Sequence, residues 1–258
     1  RPGAPFTGHP TELISMSESR DTIYADPLRE AGLFTFDENV ARVFPDMIKR
    51  SVPGYTTIVA MTGLLAQRYA AAGSVLYDLG CSLGASTLAM RQELRGKDCR
   101  ILAVDNSQAM LERCRNIIDT DTHDTPVDLI CSNLEDVNIE NASVVVLNFT
   151  LQFIPLAMRN EVIQRIYDGL RPGGVMVLSE KVTFEDPHLD ELNIELHHEF
   201  KKANGYSDME IAQKRAAIEN VLLPETVATH KQRIASAGFG SCDVWFQCFN
   251  FASLVALK

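Results

Sequence analysis

The sequence has no apolar run approaching the roughly 18 residues that a membrane-crossing helix needs. It has no Cys-x-x-Cys pair. Its six cysteines, Cys81, Cys99, Cys114, Cys131, Cys242 and Cys248, are scattered, several of them in strand-like apolar runs. Reduced, buried thiols in a cytoplasmic protein are therefore expected, not disulfides or a zinc cluster. Positive charge is scarce: 24 Lys+Arg against 34 Asp+Glu leave a net charge of −10. That balance argues against a nucleic-acid binder working by charge, because such binding uses clustered Lys and Arg to displace counterions from phosphates. Internal repeats and low-complexity tracts are absent. What is present is an ordinary globular composition, 46% hydrophobic and 22% charged over 258 residues, long enough to bury a core without staples. Arg1 to Ser15 hold three prolines and no periodicity. They read as an expression scar or loose tail, with Met16 the natural start.

From residue 71 onward, strand and helix signals alternate. Ser74–Asp78, Arg100–Asp105, Pro126–Cys131, Ala142–Asn148 and Val175–Ser179 are short, nearly all-apolar runs, as expected for parallel strands covered on both faces. Helical stretches run over Ser86–Leu94, Ser107–Ile118 and Leu156–Leu170, the last stopped by Arg171-Pro-Gly-Gly174. The fold class is thus α/β, a doubly wound, mostly parallel sheet. A long polar helical segment, about His188 to Val221, exceeds a plain crossover. After a helix over His230–Ala237, Val244–Asn250 and Ser253–Leu257 read as a closing antiparallel strand pair.

Ligands of open α/β sheets sit beyond the C-terminal strand ends, where strand order reverses. The first strand ends in Asp78-Leu-Gly80-Cys-Ser82-Leu-Gly84, whose small residues let a ligand approach the backbone and the free amides of the next helix. The second ends in Asp105, 21 residues past Gly84, where such folds hold the two ribose hydroxyls. The turn departs from the dinucleotide pattern, since residues 82 and 85 are Ser and Ala, and there is no phosphate-loop Lys. A nucleoside ligand without phosphates is favoured.

Tyr77-Asp-Leu-Gly-Cys-Ser-Leu-Gly84, Asp105, Asn133-Leu134 and Leu170-Arg-Pro-Gly-Gly174 resemble the motifs of the class I S-adenosylmethionine-dependent methyltransferases, with a Rossmann-like sheet. Within that class, Phe36-Asp-Glu, Val43-Phe-Pro-Asp-Met, Arg50-Ser-Val-Pro-Gly-Tyr55, Val145-Val-Leu-Asn-Phe-Thr-Leu-Gln-Phe153, Phe200-Lys-Lys-Ala-Asn-Gly-Tyr206, Gln213-Lys-Arg215 and Trp245-Phe-Gln-Cys-Phe-Asn-Phe251 closely resemble the carboxy-S-adenosylmethionine synthases. The likeness spans about residues 20–258. It implies a helical N-terminal segment over residues 16–70 covering the site, and a ligand-binding domain over residues 71–258 with a helical lid at about 186–225.

By position, the resemblance implies that Tyr55 contacts the ligand and that Gly80, Cys81 and Ser82 flank its methionine portion. Asp105 and Asn106 would hold the ribose and adenine edge, Asn133 and Leu134 would flank the adenine, and Asn148 would face the site. Arg215, on the lid, would bind the product's extra carboxylate. Many class members carry an acid beside the adenine where this chain has Ser132-Asn133; an amide still offers an acceptor. The family converts S-adenosyl-L-methionine and prephenate to carboxy-S-adenosyl-L-methionine and phenylpyruvate, for tRNA wobble-uridine modification. It uses no metal and is homodimeric. No direct RNA or membrane contact is implied, and no catalytic base is assignable. Glu195-Leu-His-His198 resembles half of a carboxylate–histidine metal site but reads as a solvated helix face, and Cys81 as a packing residue. The competing readings are a methyltransferase acting on tRNA or a small molecule, and a non-catalytic S-adenosylmethionine binder. Against the former, the fourth strand ends Asn148-Phe-Thr-Leu instead of Asn-Pro-Pro-aromatic.

Overall fold

The computed structural model describes residues 19–27 and 34–258. The tail assigned to residues 1–15 and the start at Met16 lie outside the described residues. Two helices come first, α1 (Glu38–Ser51) and α2 (Tyr55–Tyr69). Asp37 caps α1 by accepting the Val40 N–H.

Then follow β1 (Ser74–Leu79), α3 (Ala85–Glu93), β2 (Cys99–Asp105), α4 (Gln108–Thr120), β3 (Val127–Cys131), β4 (Ala142–Asn148), α5 (Leu156–Gly169) and β5 (Leu170–Thr183). The order across the sheet is β3-β2-β1-β4-β5 and then the closing pair β8 (Phe251–Leu257) and β7 (Ser241–Cys248), both antiparallel to their neighbours. Apolar residues on both faces drive this arrangement. Val75, Tyr77 and Leu79 join the core under α5 and α8 (Val227–Ala237), while Leu76 joins the core under α2 and α3. Strand order reverses at β1, which pairs with β2 on one side and β4 on the other. That places the expected ligand crevice above β1 and β4.

The lid departs from a single long helix. It is α6 (Pro187–Ala203) and α7 (Asp208–Ile218), broken at Asn204-Gly205, where Gly205 has φ +86°. Asp186 caps α6, and a reciprocal Ser207–Glu210 capping box starts α7. The chain then returns through β6 (Glu225–Thr226), paired to the end of β5. Arg159 is fully buried there, donating to the carbonyls of Ile154, Gln152 and Leu223 and pairing with Glu225 at 2.5 Å. Two boundaries also differ. Arg171-Pro-Gly-Gly174 lies inside β5, with a register shift against β4, and the closing hairpin turns at Phe249-Asn250, two residues earlier than expected.

Candidate active site

Three chain segments enclose one cavity of about 400 Å³ over the C-terminal ends of β1, β2 and β4. All ten residues singled out in the sequence, Tyr55, Gly80, Cys81, Ser82, Asp105, Asn106, Asn133, Leu134, Asn148 and Arg215, line it.

The floor is built by the turn after β1. Gly80 has φ +83°, and a Cβ there would run into the side chain of Thr150, so only glycine leaves the backbone open at this point. Ser82, at φ +48°, donates its N–H to Asp105 Oδ2 (2.8 Å), and Asp105 Oδ1 accepts from the Ser107 N–H (2.9 Å). The acid at the end of β2 therefore also holds the β1 turn in shape. Burial pushes its carboxyl above the usual range against these N–H donors. Asp78 below the turn is buried, accepts from Thr87 Oγ1 (2.6 Å) and is pushed up to about 6 by burial. Asn106 donates to Asn133 Oδ1 (3.1 Å), joining the two amides into one polar edge beside Leu134.

Asn148 lines the cavity, but its amide is already engaged. It donates to Ser86 Oγ (2.9 Å) and accepts from Ser179 Oγ (2.6 Å). Tyr55 opens α2 after Gly54, and its ring lies 6.1 Å from that of Phe149. Burial, then the charge of Asp78, raise its phenol above the ordinary value. The Cys81 thiol is held up by its Cys114 neighbour and by burial, so it is no thiolate nucleophile.

The lid side has a different character. Lys181 at the end of β5, His197, His198 and Lys201 on α6, and Lys214 and Arg215 on α7 all line the cavity. Arg215 is exposed at the rim; Lys201 is buried. Burial, with neighbouring Lys181, Lys214 and Arg215, pushes the Lys201 ammonium down to about 7. Lys181 is lowered by burial and by Arg215, and Lys214, bonded to Ser51 Oγ at 3.0 Å, falls to about 8 through burial. Among the described residues no carboxylate lies within ion-pairing distance of Lys181, Lys201 or Arg215.

His197 is buried, 2.8 Å from the Ser51 carbonyl and 4.8 Å from the Phe251 ring. This corrects the solvated reading of Glu195-Leu-His-His198 at its histidines, while Glu195 and Leu196 are exposed as expected. Among the described residues no His, Cys, Asp and Glu cluster suits a metal ion. Sequence reasoning also missed the aromatic wall of Phe36, Phe44, Phe149, Phe153 and Phe251. Its only sequence signal was an apolar density that core packing would equally produce.

Residues 76–174 match a family model described as a methyltransferase domain. Among solved structures, human N-acetylserotonin methyltransferase in complex with SAM aligns with a TM-score of 0.57 at 15% identity, covering 86% of this chain and 55% of that one. An O-methyltransferase family 2 protein from Planctomyces limnophilus gives 0.60 at 15%, covering 87% and 62%. These establish the class I fold. The carboxy-S-adenosyl-L-methionine synthase of Trichlorobacter lovleyi is 61% identical over 244 residues, 94% of this chain and 100% of that protein. The chain belongs to the carboxy-S-adenosyl-L-methionine synthase family. The synthase of Aliivibrio salmonicida is 58% identical over 238 residues, 92% of this chain and 98% of its own length. The chain is thus a transferase that uses S-adenosyl-L-methionine, and the cavity suits that ligand: an open glycine turn, an acid at the β2 end, a paired-amide edge and aromatic walls. Among the described residues no helix is long and apolar enough to cross a membrane.

Proposed function

We propose that this chain converts S-adenosyl-L-methionine and prephenate to carboxy-S-adenosyl-L-methionine and phenylpyruvate, as a homodimer in the cytoplasm, for use in tRNA wobble-uridine modification. The observation that carries the reading is one cavity with two halves. The sheet side fits an adenosyl sulfonium, and the lid side is cationic with Arg215 unpaired at its rim.

In the sheet half, Gly80 to Ser82 lie along the methionine portion. Asp105 and Asn106 take the ribose and adenine edge, and Asn133 and Leu134 flank the base. Tyr55 packs the reacting end. Asn148 acts by fixing Ser86 and Ser179. The chemistry balances without a side-chain base. Prephenate aromatises to phenylpyruvate, releasing carbon dioxide and hydroxide. A proton of the methyl group, acidified by the sulfonium, passes to the hydroxide to give water, and the methyl carbon bonds to carbon dioxide. The chain must exclude bulk water, which the α6–α7 lid and phenylalanine wall do. The planar Arg215 guanidinium presents a fork of N–H donors to the new carboxylate.

The test is mass spectrometry of products after incubation with S-adenosyl-L-methionine, with and without prephenate. A product heavier by one carbon dioxide, formed only with prephenate, is expected. Demethylated S-adenosylmethionine alone, independent of prephenate, would return the chain to the methyl-transferring enzymes.

A further inference from the structure

We propose that Lys181 and Lys201 form an anion subsite on the lid side of the cavity, distinct from Arg215, that takes one carboxylate of the dicarboxylate co-substrate. The inference rests on the prephenate reading above and extends it to residues that reading does not use.

The placement is specific. Lys181 stands opposite Phe251 across the β5–β8 pairing, and Phe251 packs edge-on against His197 at 4.8 Å. His197 and Lys201 are one helical turn apart on α6, so both project to the same side. The Lys201 ammonium senses the charge of Lys181, and both depress the His197 imidazole. His197 answers by staying neutral. Its Nε2 hydrogen goes to the Ser51 carbonyl, so it contributes shape and no charge.

A buried, unpaired cation such as Lys201 is costly, and the charge of half-buried Lys181 nearby adds to that cost. Lys214 is relieved by the Ser51 hydroxyl and by the charge of Asp21. Lys181 feels the charge of Asp190 but makes no ion pair with it, Lys201 has no carboxylate beside it, and both line the cavity. S-adenosyl-L-methionine cannot supply it. Its sulfonium and ammonium outweigh its one carboxylate, so it adds positive charge to a cationic chamber. A bound dianion cancels that charge and permits the sulfonium to sit nearby. The remaining walls decide which dianion. Phe149, Ile194 and Phe251 line the same cavity with apolar surface, which suits carboxylates on a carbon ring better than a heavily hydrated phosphate. Two cationic points, half-buried Lys181 with buried Lys201 and exposed Arg215 at the rim, match two carboxylates at opposite ends of one molecule.

The experiment compares Lys181→Gln, Lys201→Gln and Lys201→Arg with the wild-type full chain, measuring KM for prephenate alongside calorimetric affinity for S-adenosyl-L-methionine. Losing a charge-assisted hydrogen bond should raise the prephenate KM by roughly ten- to a hundredfold in each Gln variant. S-adenosyl-L-methionine affinity should be unchanged or tightened, and Lys201→Arg should restore most of the loss. Lys202→Gln, on the exposed side of α6, is the control. An unchanged prephenate KM in the Gln variants overturns the proposal. Should Lys201→Gln fail to fold, Lys181→Gln decides. If the wild-type chain makes no carboxylated product, the functional reading fails by itself. Prephenate titrated into wild type and Lys181→Gln with S-adenosylhomocysteine bound then settles the subsite. Binding weakened by the substitution keeps it, and equal or absent binding removes it.

Discussion

His197 and Arg215 show how differently two basic side chains can serve one cavity. Burial, then Lys201 and Lys181, push the His197 imidazole down to about 3. Its folded pKa lies below the ordinary value of 6.5, so the unfolded chain takes up a proton first. The stability contributed by the neutral ring is complete above about pH 6.5 and is lost as the pH falls toward 3. His197→Gln, which keeps an N–H for Ser51, should flatten the fall of the urea midpoint between pH 6.5 and 4.5. The expected difference in slope is about 1 kcal/mol per pH unit. Arg215 is exposed, so Arg215→Met should leave the thermal midpoint nearly unchanged. Carboxylated product should nonetheless fall by about a hundredfold in a mass-spectrometric assay, the scale of a lost bidentate ion pair. The turn residues and Asp105 were legible because their spacing survives in one dimension, whereas Arg215 stood out only through the family resemblance. Lys181 and Lys201 were not: a lysine in a sequence carries no mark of burial, and only the fold brings β5 and α6 together.

At the scale of elements, the lid is clasped by the chain's N-terminal stretch. Tyr206 donates to Asp21 Oδ2 at 2.5 Å beneath the Arg50 guanidinium, which lies 3.8 Å from the Tyr206 ring centre. Arg50 reaches the Asn204 carbonyl at 2.7 Å, and the Phe34 N–H reaches the Ala217 carbonyl at 3.1 Å. Asp21 is buried, so Tyr206→Phe leaves a buried carboxylate short of a donor. A loss of about 1–3 kcal/mol is expected by denaturant titration. Faster hydrogen exchange confined to α7 is expected with it. The β1 turn yields a sharper contrast. Gly80→Ala combines a left-handed φ with collision at Thr150 and should weaken S-adenosyl-L-methionine binding at least tenfold by calorimetry. The strands were readable because two-sided burial makes them continuously apolar. The break of the lid was carried by Asn204-Gly205 and the Ser207-x-x-Glu210 capping pattern, local signals that the continuous polar run overshadowed. The start of β5 was hidden because Pro-Gly-Gly marks a stop for α5 and also tolerates the bend with which the strand enters the sheet.

For the molecule as a whole, the net charge conceals a local gathering of basic side chains. A chain of net charge −10 gathers five Lys, Arg and His side chains of its lid around one cavity, joined there by Lys181 of the sheet. Total charge could not foretell that concentration. The outer surface of α6 carries Leu189, Leu192 and Leu196, each at least 37% exposed, at helical spacing. The proposed homodimer has a suitable apolar strip there. Leu192→Glu should convert a dimer to a monomer in light scattering, and an unchanged mass would move the interface elsewhere.

The antiparallel closing pair has one more consequence. It carries Trp245, the only tryptophan of the sequence, into the aromatic cluster with Tyr55, Phe149 and Phe251 that walls the cavity. The indole N–H is buried with no partner among the described residues. The chain's ultraviolet emission is therefore dominated by one ring packed against the cluster that walls the ligand chamber. Filling that chamber should register as a change in colour and intensity, with no label attached.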